Sequence, residues 1–228
     1  RVFYAELEAE TGGLEARGEM VRFVLASGAE ARLTNPNGTD LKFRIEGRPV
    51  RIADGLPSEP GEKRPPQMLL ALPAGEAMLI PASAEGKIVV DALTYRGRDI
   101  SGLTVVIKAG KVQNMYARSG VDAVKPLYDA AGPGKEQVSC IDIGLNAMVS
   151  LPAGVKPSAP MAVGMVSVWV GNNIRAGGEN AAPFELLLPL PGSTLTVDQA
   201  TLVDSGKLVM PVSPEAAEVM GPEPSEPR

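Results

Sequence analysis

The chain has no histidine among its 228 residues. This removes imidazole as general base, as member of a catalytic triad and as metal ligand. Any metal site must use carboxylates, carbonyls, hydroxyls and water, a set that suits magnesium, calcium or manganese better than zinc. Cys140 is the sole cysteine, so a disulfide or a cysteine-based zinc site within one chain is excluded, and a reducing compartment is compatible. Aromatic residues make up 4% of the chain, so the core must come mainly from Val, Leu, Ile, Ala and Met. No apolar run approaches the length of a membrane span, and no signal-peptide pattern is present. The sequence starts at Arg1, so the natural start is expected upstream. There are 27 acidic and 22 basic residues, for a net charge of −5. The basic residues do not cluster, which argues against nucleic acid as a partner. The expected setting is cytoplasmic, with no membrane partner.

Gly and Pro are abundant, at 25 and 21 residues, which favours many short elements joined by turns. Residues 13–30 read as an amphipathic helix with Leu14, Val21, Val24 and Leu25 on one face and Gly28 as its stop. Residues 31–40 read as a short strand running into the turn-rich Asn35-Pro36-Asn37-Gly38. "LKFRIEGRPVRI" (41–52) alternates apolar and charged residues and predicts a hairpin turning at Gly47-Arg48. Residues 53–67 are a polar, Pro-rich loop. From residue 68 the strand signal dominates, in "MLLALP", "AMLIPA", "GKIVVDALTY" and "LTVVIKAGKVQNMYA". The last of these predicts a hairpin around Ala109-Gly110. Residues 119–132 predict a short helix capped by Ser119, with Pro126 weakening it. Strand signals return in "EQVSCIDIGL", "MVSVWVG" and "FELLLPL", and residues 194–210 predict a final hairpin. The whole predicts an α+β fold, β-rich, with mostly antiparallel sheets and a few short helices. The expected organisation is a helix-strand remainder of an α/β domain over residues 1–50, a β-rich domain over 51–212 and an acidic, Pro-rich tail or linker over 213–228.

Three places bear on function. Glu76 follows a Pro73-Ala74-Gly75 bend and opens an apolar run. It reads either as a presented metal-binding carboxylate or, on the local pattern alone, as a solvated turn residue. Asp142 sits in an apolar run, where an unpaired carboxylate would be costly, so it needs a partner or an edge position. Alternation puts Cys140, Asp142 and Gly144 on one side of that strand and Ser139, Ile141 and Ile143 on the other. Without a histidine to activate it, Cys140 reads as an inert buried thiol. The loop "VGNNIRAGGENAAPFE" (170–185) could cradle a ligand through backbone N–H groups, but it lacks the spacing of a phosphate-binding loop or a dinucleotide fingerprint, and it reads as an ordinary connection. Trp169 reads as core.

The segments "ARLTNPNGTDLKFRIEGR", "LPAGEAMLIPASAEGKIVVDA", "YRGRDISGLTVVIKAGKV", "IDIGLN" and "GMVSVWVGNNIRAGGENAAPFELLL" together resemble, in order and spacing, the leucyl aminopeptidase T type of thermophilic metallo-aminopeptidases. The resemblance runs over roughly residues 10–210. It implies the β-rich C-terminal domain of that family, dimeric pairing and a site for two metal ions. It places the first glutamate ligand on Glu76, the second on Cys140, the first histidine on Ser167, a tyrosine near Ile174, and the last histidine and aspartate near Glu185 and Leu187. Glu76 is thus the one ligand retained. A related iron-dependent ring-cleaving dioxygenase branch also depends on histidine and fails on the same ground.

The expected function is therefore an aminopeptidase-like protein that has lost its dinuclear metal site. It would act as a binding or dimerisation module, taking a peptide or small polar ligand, with a homodimer as its assembly. No cofactor is expected, and a divalent metal is possible only through carboxylates. Glu76, Asp142, Arg175 and Glu185 are the candidate binding residues, with Glu76 a remnant metal ligand. The alternative is an active metal-dependent hydrolase with an all-oxygen site built from Glu76, Asp142 and Glu185. A plainer alternative is an architectural β-rich dimerisation domain.

Overall fold

The computed structural model describes residues 11–54, 74–149 and 160–209. Helix α1 spans Thr11–Ser27. The thirteen strands, in chain order, are β1 Glu30–Asn35, β2 Thr39–Arg44, β3 Val50–Ala53, β4 Glu76–Leu79, β5 Ser83–Tyr95, β6 Arg98–Lys108, β7 Lys111–Tyr116, β8 Val138–Gly144, β9 Val166–Gly171, β10 Glu185–Leu190, β11 Thr194–Val197, β12 Ala200–Asp204 and β13 Lys207–Leu208. A 3₁₀ turn, Val121–Ala123, leads into the short helix α2, Lys125–Ala130. The strands form two antiparallel sheets. The larger has the order β13-β12-β11-β1-β2-β5-β6-β7, and the smaller has the order β10-β9-β8-β4-β3. The fold is α+β and strongly β-biased, as the turn-rich composition predicts.

Period-two alternation builds the core. Leu41 and Phe43 of β2, Ile88 and Val90 of β5, and Leu103, Val105 and Ile107 of β6 belong to one apolar cluster. The same cluster takes Ile141 and Ile143 from β8, Val166, Val168 and Val170 from β9, and Leu186, Leu188 and Leu190 from β10. Each large aliphatic side chain withdrawn from water contributes about 1.5–3 kcal/mol before entropy is counted. On α1, Leu14, Val21, Val24 and Leu25 are all buried, at the spacing read from the sequence. The helix packs against β3 and β4. Arg17 Nε donates to Leu145 O at 2.8 Å, which ties α1 to the segment after β8.

The expected hairpin over 41–52 does not form. β2 pairs with β1 and β5 in the large sheet, whereas β3 pairs with β4 in the small one. Gly47 does turn, at φ 67°, but the turn carries the chain from one sheet to the other. Alternation is the same in both cases, so it could not tell a hairpin from a crossing. The hairpin in this region is β1–β2, closed by the Asn35–Gly38 turn. The short helix also begins later than expected. Gly120, not Ser119, precedes the 3₁₀ turn, and Pro126 lies in the first turn of α2, where its missing N–H is tolerated. The β6–β7 hairpin turns at Ala109-Gly110 as predicted. β1 and β2 lie within the large sheet, between β11 and β5. The "MLLALP" strand, most of the Pro-rich loop and the acidic tail lie outside the described residues.

The bend before β4 is held from three sides. Gly75 has φ 118°, a conformation that glycine adopts without strain. Its N–H donates to Ala53 O at 2.8 Å, and its carbonyl accepts from Leu145 N–H at 2.8 Å. The buried Asn146 donates through Nδ2 to Ala74 O at 2.7 Å and accepts the Met148 N–H at 2.9 Å. Asn146→Ala removes both bonds and leaves Ala74 O without its donor. A loss of about 1–2 kcal/mol is expected, read as a lower urea midpoint at unchanged m-value.

Candidate functional site

The small sheet has two faces of different chemistry. One carries the apolar residues of the core. Strand register fixes what lies on the other. Ala53 pairs with Glu76, Arg51 with Met78, Met78 with Asp142, and Glu76 with Gly144. Asp142 pairs with Ser167, Cys140 with Trp169, Trp169 with Leu187, and Gly171 with Glu185. Directly paired residues share a face. Arg51, Glu76, Cys140, Asp142, Ser167, Trp169 and Glu185 therefore stand on one side of five adjacent strands. The chain roofs part of this side, since Gly144 lies so close beneath another segment that a Cβ there would come within 1.9 Å of Ala162 O.

Glu76 is fully buried at the first position of β4, which overturns the reading of it as a solvated turn residue. The local pattern misleads because the bend is itself packed beneath Asn146 and α1. Arg175 supplies the counter-charge, its guanidinium donating to Glu76 Oε2. The Arg175 Cζ also lies 5.2 Å from the centre of the Trp169 ring, in cation–π contact. Glu76 is 1% exposed and Arg175 29%, so the ion pair is closed on the sheet side and open at one edge.

Asp142 has the partner that its burial demands. Trp169 Nε1 donates to Asp142 Oδ2 at 3.0 Å. Burial, then the neighbouring Glu76 charge, holds the Asp142 carboxyl well above the usual carboxylate range. Glu76 Oε1 and Asp142 Oδ1 are both buried with no donor from the protein among the described residues. The two groups are within hydrogen-bonding reach of each other once one is protonated. The raised Asp142 carboxyl favours its protonated form, which can donate towards Glu76, the partner of Arg175. The chain Arg175–Glu76–Asp142–Trp169 is then continuous. Ser167 Oγ, buried opposite Asp142, has no protein partner within that set.

The rim is made by Glu185 and Arg51. Glu185 is exposed at the start of β10, and the partial desolvation of its carboxyl pushes it up, with the Arg175 charge opposing. Arg51 is pushed down by burial and then by the Arg175 charge. Cys140 is buried, and burial raises its thiol well above the ordinary range, which disfavours the reactive thiolate.

The Asn- and Gly-rich loop between β9 and β10 does not present a backbone cradle. Its N–H groups at Asn173, Ala176, Gly177, Gly178 and Asn180 donate within the loop, to Asn180 O, Asn173 O, Ile174 O, Asn173 O and Asn173 Oδ1. Asn180 Nδ2 fastens the loop to Gly134 O and Gly171 O, at 2.8 and 2.6 Å. The asparagines serve the loop's own backbone, and the fixed loop aims Arg175 at Glu76. The structure thus brings Glu76, Asp142 and Arg175 into one network, with Glu185 beside it.

Sequence reasoning missed Trp169 and Arg51. Trp169 is half-buried rather than core, and its ring forms a wall of the site. The signal was present: Ser167 and Trp169 alternate with Val166, Val168 and Val170, which puts them on the face opposite the core. Arg51 was concealed by the assumed hairpin.

These residues do not fit the dinuclear metal centre that the resemblance implies. Among the described residues no three of His, Cys, Asp and Glu are grouped to hold a metal ion. The one retained glutamate is paired with a guanidinium, and the positions of the other ligands carry the buried thiol of Cys140, the hydroxyl of Ser167, the apolar side chains of Ile174 and Leu187 and the single carboxylate of Glu185.

The fold has solved counterparts. The 2,5-dihydroxypyridine dioxygenase from Pseudomonas putida KT2440 is similar at a TM-score of 0.69 and 19% sequence identity, covering 95% of this chain and 64% of that one. Wild-type AmpT from Thermus thermophilus is similar at a TM-score of 0.66 and 17% identity, covering 89% of this chain and 56% of that one. At these identities the likeness is one of fold, and the chain spans less than two thirds of either protein. Its β-rich architecture is common to both of these structures. No protein-family model matches the chain, and no curated protein sequence matches it.

Proposed function

We propose that this chain is an aminopeptidase-like module without metallopeptidase chemistry, and that the polar face of its small sheet serves binding. The observation that supports this reading most strongly is the Arg175 guanidinium on Glu76. A carboxylate whose charge is already met by a fixed guanidinium is a poorer ligand for a divalent ion, because the two positive charges repel across a few ångströms of poorly screened space. The same observation weighs against an all-oxygen site at Glu76, Asp142 and Glu185. Such a site would have to ionise Asp142 against its burial and hold the ion beside the Arg175 charge. The ligand fitted to such a face is small and polar, or a peptide, and a homodimer is the assembly we associate with it.

The expected result is that the purified chain does not hydrolyse aminoacyl p-nitroanilides with added cobalt, zinc, manganese or magnesium, and gives no calorimetric signal with these ions. Hydrolysis that requires metal and disappears in Glu76→Ala would overturn the proposal. Metal binding abolished by the same substitution would do so even without turnover.

A further inference from the structure

The polar face carries more acceptors than the described protein groups satisfy. Glu76 Oε1, Asp142 Oδ1 and Ser167 Oγ are each buried without a protein partner. One proton between the two carboxyl groups accounts for two of these atoms and leaves the third. Ser167 is 0% exposed and stands opposite Asp142 on the adjacent strand, so its hydroxyl belongs to the same pocket.

Two guanidinium groups stand near this set among the described residues: Arg51 belongs to β3 at the rim, and the one that pairs with Glu76 comes from outside the sheet. Arg175 reaches in from the β9–β10 loop, with Glu76 at its edge and the Trp169 ring beneath it. A carboxylate at the edge and an aromatic ring on the face are the two contacts by which a guanidinium is held in any host. Neither depends on the tether. The outer edge of Arg175 is open to solvent, so the side chain can swing out while the loop stays fastened by its asparagines.

We infer that the pocket of Glu76, Asp142, Ser167 and Trp169 is a binding site for a guanidinium group, which Arg175 fills as a tethered occupant and which a guanidinium-bearing ligand takes by displacing it. This rests on the metal-free reading of Glu76. The committed chemistry is a planar, weakly hydrated cation. An ammonium is compact and strongly hydrated and cannot lie flat on an indole while facing a carboxylate edge-on.

Trp169 is the only tryptophan in the chain, so intrinsic fluorescence reports the pocket directly. In Arg175→Ala, methylguanidinium should change the emission saturably, half-complete at roughly 1–10 mM, and raise the thermal midpoint over the same range. Methylammonium at equal ionic strength should do neither, and Arg175→Ala/Glu76→Gln should lose the response. The unaltered chain should need roughly tenfold more methylguanidinium, because a tethered side chain competes at an effective concentration in the millimolar range or above. If N-acetyl-argininamide binds the unaltered chain more tightly than methylguanidinium, the ligand is a peptide arginine; equal affinities assign a free small guanidine, and both outcomes support the site. Should Arg175→Ala fail to fold, Arg175→Gln carries the same titration. A response that is linear, matched by methylammonium or retained in the double variant overturns the inference. A divalent ion bound at Glu76 in the unaltered chain would instead sink the metal-free reading, so the two failures are distinguishable.

Discussion

Arg175→Met should lower folding stability by roughly 2–4 kcal/mol, below the range for breaking a fully buried pair because one edge of the guanidinium is wet. Methionine keeps much of the aliphatic bulk and removes the charge. Glu76 is then left buried against Asp142 with no cation, and Trp169 loses its stacked partner. The main cost is the stranded carboxylate, so the second variant matters more than the first. Arg175→Met/Glu76→Gln should recover at least half of the loss, since a neutral amide at position 76 no longer needs a counter-ion. Urea unfolding followed by circular dichroism gives the four corners of the cycle, and a coupling of about 1–3 kcal/mol is expected. Strictly additive losses would mean that the pair contributes nothing beyond its separate packing.

Asp142→Asn should act in the opposite direction. The asparagine amide mimics the protonated acid: its oxygen accepts from Trp169 Nε1, and its NH₂ donates towards Glu76 Oε1. The sign of the pH effect follows from linkage. The folded state holds a proton on Asp142 well above the ordinary value of 3.8 at which the unfolded chain releases it. Stability is therefore full below that ordinary value and falls as pH rises towards the raised folded value, because there the folded state binds more protons than the unfolded one. The variant removes this slope. It should match the parent at acidic pH and exceed it by about 1–3 kcal/mol at neutral to mildly alkaline pH. Urea midpoints compared between about pH 4 and pH 8 test this, and a parallel offset at every pH would refute it.

Both effects concern residues that the sequence pointed to, for reasons it could only half supply. Asp142 was legible because a carboxylate in an apolar run must be explained, and its side of the strand followed from alternation. Its donor was not legible, because Trp169 is separated from it by a segment whose length says nothing of strand order. Glu76 was ambiguous, since a Pro-Ala-Gly bend looks the same to local reasoning whether it lies in water or under Asn146. Arg175 entered through the resemblance, but its engagement with Glu76 depends on the asparagine-pinned loop, a tertiary arrangement with no local signature. Over the described residues strand type and approximate position were readable, because period two is a local property. Pairing was not, and 41–52 shows why: the same alternation serves a hairpin and a crossing between sheets.

The order of the large sheet has a consequence for how the chain acquires it. β1 has β2 on one side and β11 on the other, and the Asp198 carboxylate accepts the N–H groups of Ala29 and Glu30. A neighbour for residues 31–34 thus arrives more than 150 residues later in synthesis. Until Thr194–Val197 is made, β1 is a bare edge with a full row of unpaired donors and acceptors. The β5–β6–β7 meander can pair locally and early, whereas β1 and β11 must close the longest loop among the described strand pairs before they pair. We expect the seam between them to form late in folding, and to be a place where a nascent chain is open to pairing with another copy of itself.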